Sequence, residues 1–411
     1  MKILKLHNEV NIGKENSWSE DVLSFVHEDS LYLYKLLSAR IIKFANSEIL
    51  QAHSVKLDEK TRFNLEKLGM INTSKDSIVK DLKQCQNGNA QEVNLTIAPT
   101  LKCNLSCAYC FENKSNKSLS SESEDFIVDY IHEQNSKGKE IHITWYGGEP
   151  LLAMDSIRII SNKLNRKSIN FSSDIITNGV CITDSILKDF CNLKINSVQI
   201  TLDGCKSCHN AARSGTFSKV IRNATKIIKN NISLTVRVNC TNDNIAGIKN
   251  LLNCPDFIML KKDKFKIYFD EIDSETSNNL KEAITQVEQQ FIENNYNVKR
   301  SKLSLKVFSC SAIKDNDLCI GPELELYDCY SNFGHKEYIS GNLRDSKRTA
   351  KTTYKNILPK ECKSCEIAEI CHCGGCPYKI KNNYIKPNPV FCEKAKSQVE
   401  ERLVELIRGG K

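Results

Sequence analysis

Cys103, Cys107 and Cys110 lie in the run Cys103-Asn104-Leu105-Ser106-Cys107-Ala108-Tyr109-Cys110, a C-x3-C-x2-C spacing directly after a strand-like stretch. The nearest histidines, His132 and His142, are remote in sequence, and no fourth cysteine adjoins the run. Three thiolates hold three corners of a cubane [4Fe–4S] cluster and leave one iron without a protein ligand. An open iron binds and acts on a small molecule; a fully ligated cluster only passes electrons. A zinc knuckle is the competing reading, but structural zinc takes four ligands.

A second chemical signal is Gly147-Gly148-Glu149-Pro150. Glycines at a strand end tolerate positive φ and let backbone approach a ligand closely. Alone this is a generic tight turn. Beside the cysteine run it gains meaning, because both segments follow strands and fall on one rim of one sheet, where parallel-sheet active sites form.

The elements that must hold these segments are legible from periodicity. Short apolar runs rich in Ile, Val and Thr predict strands at 93–99, 140–146, 172–177, 197–203, 233–240 and 265–271. Helical patterns lie between them. The clearest carries Phe217, Val220, Ile221, Ala224, Ile227 and Ile228 at i, i+3, i+4 spacing. Repeated βα units build a parallel sheet. Six units are too few for a closed eight-fold barrel, so the expected fold class is α/β, a partial (β/α)6 TIM-like barrel.

Three parts are expected: a small α+β module at 1–92, the partial barrel at 93–300, and a cysteine-rich part at 301–411. In the first, Leu31–Leu37 reads as a strand, and Leu65–Gly69 as a helix end followed by a short strand. The polar stretch 72–92 reads as a linker. Residues 276–300 read as a linking helix, and the chain ends in an amphipathic helix with Val399, Leu403, Leu406 and Ile407.

Nineteen cysteines in 411 residues, an odd count, argue against a closed disulfide framework. Clusters of this density in a reducing compartment point to metal. The scattered Cys85, Cys181, Cys191, Cys205, Cys208, Cys240 and Cys254 read as buried free thiols. No apolar run of about 18 residues occurs, and the N-terminus lacks a secretory apolar core. The expectation is a cytoplasmic protein without a membrane partner. The net charge of +8 is spread along the chain, and its lysines lack the aromatic interleaving of a single-strand nucleic-acid site.

With Tyr109 as the aromatic before Cys110, the cysteine run followed by Gly-Gly-Glu-Pro resembles the radical S-adenosylmethionine enzymes over residues 93–275. The resemblance implies that Cys103, Cys107 and Cys110 ligate a [4Fe–4S] cluster whose open iron chelates the methionyl amine and carboxylate. Gly147, Gly148 and Glu149 would receive the amino group, and Tyr109 would flank the adenine. Thr177-Asn178-Gly179, Gln199-Ile200-Thr201-Leu202-Asp203-Gly204, and then His209 and Arg213, occupy positions that touch the ribose or carboxylate in similar enzymes, with Asn178, Thr201 and Arg213 the named contacts. Arg suits a carboxylate through bidentate bonds. The family pattern has Ser where Thr201 stands and Pro where Cys205 stands. The implied chemistry is one-electron cleavage of the sulfonium to a 5′-deoxyadenosyl radical that abstracts hydrogen.

Downstream, Cys310, Cys319 and Cys329 precede Cys362, Cys365, Cys371, Cys373, Cys376 and Cys392. Spacing alone leaves a zinc ribbon open. The arrangement resembles the SPASM extension of peptide-modifying radical enzymes, which holds two auxiliary [4Fe–4S] clusters. It implies Cys310, Cys319, Cys329 and Cys376 for the first, and Cys362, Cys365, Cys371 and Cys392 for the second. Cys373 is inserted in the last spacing, so either Cys371 or Cys373 could be the ligand there.

The function expected from this resemblance is modification of a ribosomally synthesised precursor peptide, through a thioether or C–C crosslink. Residues 1–92 would dock a leader or form a lid, and a flavodoxin or ferredoxin would donate electrons. One alternative is an anaerobic sulfatase-maturating enzyme. Those carry an Asp directly after the third cysteine of the first auxiliary set, where this chain has Tyr330 after Cys329, with Asp328 before it. The other is a non-catalytic iron–sulfur electron-transfer protein.

Overall fold

The computed structural model describes residues 2–4, 17–18, 22–28, 30–36, 38–44, 59–72, 91–272, 278–299, 305, 310–345, 358–363, 365–371, 376 and 389–409. They form two compact units, one of 1–90, 302–315 and 351–411, the other of 91–301 and 316–350. These cut across the three-part division read from the sequence.

In the first unit, β1 (Lys2–Leu4), β3 (Val22–His27), β4 (Ser30–Lys35) and β5 (Arg40–Phe44) form an antiparallel sheet in that order. A ribbon pairs β2 (Ser17–Trp18) with β6 (Ile71–Asn72). The helix Glu59–Lys67 ends before Gly69, whose φ of +67° turns the chain into β6. Leu23, Phe25, Tyr32 and Tyr34 share a core with Ile367, Ile370, Ala395, Val399 and Leu403. The terminal helix Pro389–Ile407 thus buries the stripe expected of it against the N-terminal sheet. The expected 72–92 linker lies mostly outside the described residues.

The second unit is built on six parallel strands, as the apolar runs predict: β7 (Glu92–Ile97), β8 (Glu140–Trp145), β9 (Phe171–Thr177), β10 (Ile195–Leu202), β11 (Ser233–Cys240) and β12 (Phe265–Glu271). Four further strands extend the sheet: β13 (Asn297–Val298), β14 (Asp317–Ile320), β15 (Glu325–Tyr327) and β16 (Ile339–Asn342). The order β13-β12-β11-β10-β9-β8-β7-β14-β15-β16 is linear, so the barrel is open. β14 pairs parallel with β7, Cys319 opposite Thr96, which joins 316–350 to the barrel. The linking helix runs Asn278–Glu293 and is followed by β13.

One face of this sheet is apolar and covered. Ile97, Ile143, Ile175, Ile200, Val236 and Ile267 are fully buried. They share one core with Ile127 and Ile131 of the helix Ser121–Ser136, Ile157 and Ile160 of Met154–Arg166, and Val220 and Ile227 of Phe217–Lys229. Each such side chain contributes about 1.5–3 kcal/mol. The alternate residues are polar and bond across strands. His142 contacts Ser172 at 2.9 Å and Asp174 at 3.1 Å, and Ser197 donates to Asp174 at 2.7 Å. Tyr268 donates to Gln199 at 3.1 Å, and Arg237 pairs with Asp270 at 2.9 Å. Parallel strands covered on both faces read as continuous apolar runs. These alternate, so the open barrel has a polar inner face.

Candidate active site

The segment after β7 is a loop clipped at its base. Leu101 N–H donates to Lys117 O at 2.9 Å, Leu119 N–H to Pro99 O at 2.9 Å, and the Thr100 hydroxyl to Lys117 O at 2.9 Å. Within the loop, Lys114 donates to Leu105 O at 2.8 Å, and Cys110 N–H to Cys107 O at 3.1 Å. Cys103 and Cys107 are half-buried against the core, and Cys110 is exposed.

The glycine turn presses on the root of this loop. Gly147 and Gly148 have φ of +86° and +50°. A Cβ on Gly148 would lie 2.2 Å from Lys102 O, and one on Gly147 2.5 Å from Ala98 Cβ. Only glycine fits both the angle and the approach. Glu149 N–H donates to Lys102 O at 2.7 Å, and Gly148 N–H to Glu112 Oε2 at 2.5 Å. The turn therefore fixes the residue before Cys103.

Glu149 is fully buried and ties this turn to the end of β9. Its carboxylate accepts from the Thr177 hydroxyl at 2.7 Å, Asn178 N–H at 2.8 Å and Leu151 N–H at 3.0 Å. Burial raises its pKa more than these bonds and Arg213 lower it. The Asn178 amide donates to Asn104 at 2.8 Å and lies 3.9 Å from the Cys103 sulfur. Burial likewise pushes the Cys103 thiol up, against the Leu105 N–H and Lys114.

A second knot centres on Asp203, just past β10. Its carboxylate accepts from the Tyr109 hydroxyl at 2.5 Å, from Asn239 at 3.1 Å and from Arg213 Nε. The Arg213 guanidinium lies 5.7 Å from the Tyr109 ring centroid. His209, fully buried, accepts from Asp203 N–H at 3.4 Å and contacts Thr216 at 3.1 Å. Its pKa falls to about 4, because burial and Arg213 outweigh Asp203. Thr201 is nearly buried on β10, in register with Arg237.

Cys103, Cys107, Cys110, Tyr109, Gly147, Gly148, Glu149, Asn178 and Arg213 thus converge at one rim. Asp203 bonds both Tyr109 and Arg213, a central role that the sequence alone does not give it. Its only sequence signal is its place in Thr201-Leu202-Asp203-Gly204.

Among the described residues no three Cys, His, Asp or Glu side chains already converge as a bound metal would draw them. The donor set fits an iron–sulfur centre nonetheless. Three soft sulfurs share one short loop, and soft thiolates select such centres over hard cations.

The downstream cysteines divide between the units. Cys319 is buried on β14 and Cys329 contacts Ser331 at 2.9 Å, both in the barrel unit. Cys310, Cys362, Cys365, Cys371, Cys376 and Cys392 belong to the other. There Cys362 and Cys371 are buried. The Cys365 thiol is pushed up to about 11 by burial, with Glu366 and Cys371 adding to it. Cys373 lies outside the described residues.

Residues 97–253 match the Radical SAM superfamily model. The GTP 3′,8-cyclase of Clostridium perfringens is 31% identical over 166 residues, 39% of this chain and 50% of that protein. A cysteine-type anaerobic sulfatase-maturating enzyme of the same species is 28% identical over 160 residues, 35% of this chain and 43% of that protein. The chain therefore spans half the length or less of these curated relatives. Streptococcus suis SuiB, solved bound to its precursor peptide SuiA, superposes with a TM-score of 0.56 at 15% identity, over 91% of this chain and 99% of that one. That likeness is one of fold. The cofactors of the matched domain are a [4Fe–4S] cluster and S-adenosylmethionine, which the three-sulfur loop suits. Residues 97–253 are thus similar to the radical SAM domain.

Proposed function

We propose that this protein modifies a ribosomally made peptide, forming an intramolecular thioether or C–C crosslink. The observation that carries the reading is the joining of the cysteine loop to the rim of an open barrel with a polar inner face. A closed, apolar barrel has no room for a polypeptide; this one presents Gln199, Arg237 and Tyr268 inward of the rim. Bound together, cluster and S-adenosylmethionine supply a hydrogen-abstracting radical.

The chain's own residues do the positioning. Cys103, Cys107 and Cys110 are the candidate cluster ligands, and the glycine turn sets the loop root. Asp203 holds Tyr109 and Arg213 in place. Peptide-handling relatives support the substrate class: a precursor peptide sits on SuiB, and a sulfatase is the target named for the maturating enzyme. The downstream cysteines would hold two auxiliary clusters as electron acceptors, fed or drained through a flavodoxin or ferredoxin. The N-terminal sheet would dock a leader by strand addition.

Co-expression with short open reading frames from the same locus tests this reading. A crosslinked product is lighter by about 2 Da per crosslink, the mass of two hydrogens. An unchanged set of peptides, with formylglycine appearing in a supplied sulfatase peptide, would favour sulfatase maturation instead. The 28% identity to a sulfatase-maturating enzyme supports that second reading, whereas Tyr330 at the position after Cys329 weighs against it.

A further inference from the structure

Two of the cysteines read as scattered thiols prove to be neighbours. Cys205 and Cys208 flank Lys206-Ser207 at the start of the helix Lys206–Ala212, and their sulfurs lie 3.7 Å apart. Both are half-buried and so reachable from solvent. The space between them and the next element exists because residue 247 is glycine. A Cβ there would lie 2.3 Å from the Cys208 sulfur and 3.3 Å from the Cys205 sulfur. Gly247 O also accepts from Cys205 N–H at 3.0 Å, which anchors the pair.

We propose that Cys205 and Cys208 form a reversible dithiol–disulfide site that reacts with low-molecular-weight disulfides, independently of the radical chemistry. A disulfide needs its sulfurs at about 2.05 Å, and side-chain rotation can close the remaining gap. The two thiols are unequal in the way such a site requires. Burial pushes Cys205 up, but the Cys208 N–H, the Ser207 hydroxyl at 3.2 Å and the Cys208 thiol outweigh it and hold Cys205 below its ordinary value. Cys208 is raised, first by burial and then by its bond to Cys205. A lowered, accessible thiol beside a resolving cysteine is the pattern of a redox-reactive pair.

The steps balance. The Cys205 thiolate attacks one sulfur of RSSR, forming Cys205–S–SR and releasing RS⁻, which takes up the proton Cys205 gave to solvent. Cys208 then attacks the Cys205 sulfur, expels the second RS⁻ and loses its own proton to it. Two protein thiols are oxidised, and one external disulfide is reduced to two RSH.

The test equilibrates the anaerobic, cluster-loaded protein with mixtures of oxidised and reduced glutathione. Acid quenching, alkylation and peptide mass analysis follow, with iron content measured to show that the clusters persist. The prediction is that Cys205 and Cys208 lose alkylation together, the peptide being lighter by about 2 Da than its dithiol form. Cys208→Ser should trap a glutathione adduct on Cys205, and Cys205→Ser should leave Cys208 slow to react. A stable adduct on Cys205 in the native protein with Cys208 still alkylated would overturn the proposal. So would no reaction of either thiol under conditions that modify the exposed Cys191.

Discussion

The Tyr109 hydroxyl donates to Asp203 Oδ1 at 2.5 Å across 94 residues of sequence. This bond joins the cysteine loop after β7 to the end of β10. Asp203 also receives Arg213, so one carboxylate orients two residues that flank the site. Asp203 is 1% exposed and Arg213 8%. Their attraction is therefore little screened, and the loss of either leaves a buried charge without its partner.

Asp203→Asn should accordingly destabilise the protein by about 3–5 kcal/mol, the range for breaking a buried pair from one side. Urea unfolding of the variant measures this. The double variant Asp203→Asn, Arg213→Met should recover part of the loss, because both charges are then gone. A double variant no more stable than Asp203→Asn would mean that the two residues are not coupled.

Gly148→Ala should displace the cysteine loop, since its Cβ would meet Lys102 O at 2.2 Å. Gly138 also has a left-handed φ, +76°, but open space around it. Gly138→Ala therefore carries the backbone strain alone, about 1–2 kcal/mol. Iron analysis separates the two effects. Gly148→Ala should lose the iron bound by the loop, and Gly138→Ala should keep it.

Acid should act through His209. Its folded pKa of about 4 is below the ordinary 6.5, so the unfolded chain binds the extra proton between those values. The neutral buried ring contributes its full stability above pH 6.5, and that contribution is lost as pH falls toward 4. The shift corresponds to about 3 kcal/mol at most. His209→Gln, compared with the native protein in thermal melts from pH 7 to pH 5, should show a flatter acid limb. Parallel curves would remove His209 from the account.

Much of this arrangement is legible in the residues. The six barrel strands announce themselves as short runs rich in Ile, Val and Thr, Val93-Asn94-Leu95-Thr96-Ile97 being typical. The cysteine and glycine motifs sit where their strands end. The strands β14 and β15 escape detection because four and three residues are too few for a period. Their pairing with β7 is a long-range event that local pattern does not encode. The partners of Asp203 are hidden for the same reason: they lie 94, 10 and 36 residues away. The proximity of Cys205 and Cys208 could be read from their spacing, but the depression of one thiol depends on the bonds that Ser207 and the turn supply.

Arg237 offers a way to separate substrate handling from cofactor cleavage. Its Nε is buried without a hydrogen-bond partner while another guanidinium nitrogen holds Asp270 at 2.9 Å. Arg237→Leu should reduce peptide modification at least about tenfold, the effect of losing one bond to a charged group. It should leave peptide-independent release of 5′-deoxyadenosine near the native rate. Equal losses in both assays would place Arg237 in the scaffold rather than at the peptide.

The most direct test is of the three-sulfur loop itself. Anaerobic, cluster-loaded protein is reduced with dithionite, given S-adenosylmethionine, and assayed for 5′-deoxyadenosine beside the variant Cys103→Ala, Cys107→Ala, Cys110→Ala. The native protein should form it. The variant should lose about a third of the iron, one cluster of three, and form none. Release by the variant at the native rate, or none from the native protein with its iron complete, would contradict the assignment.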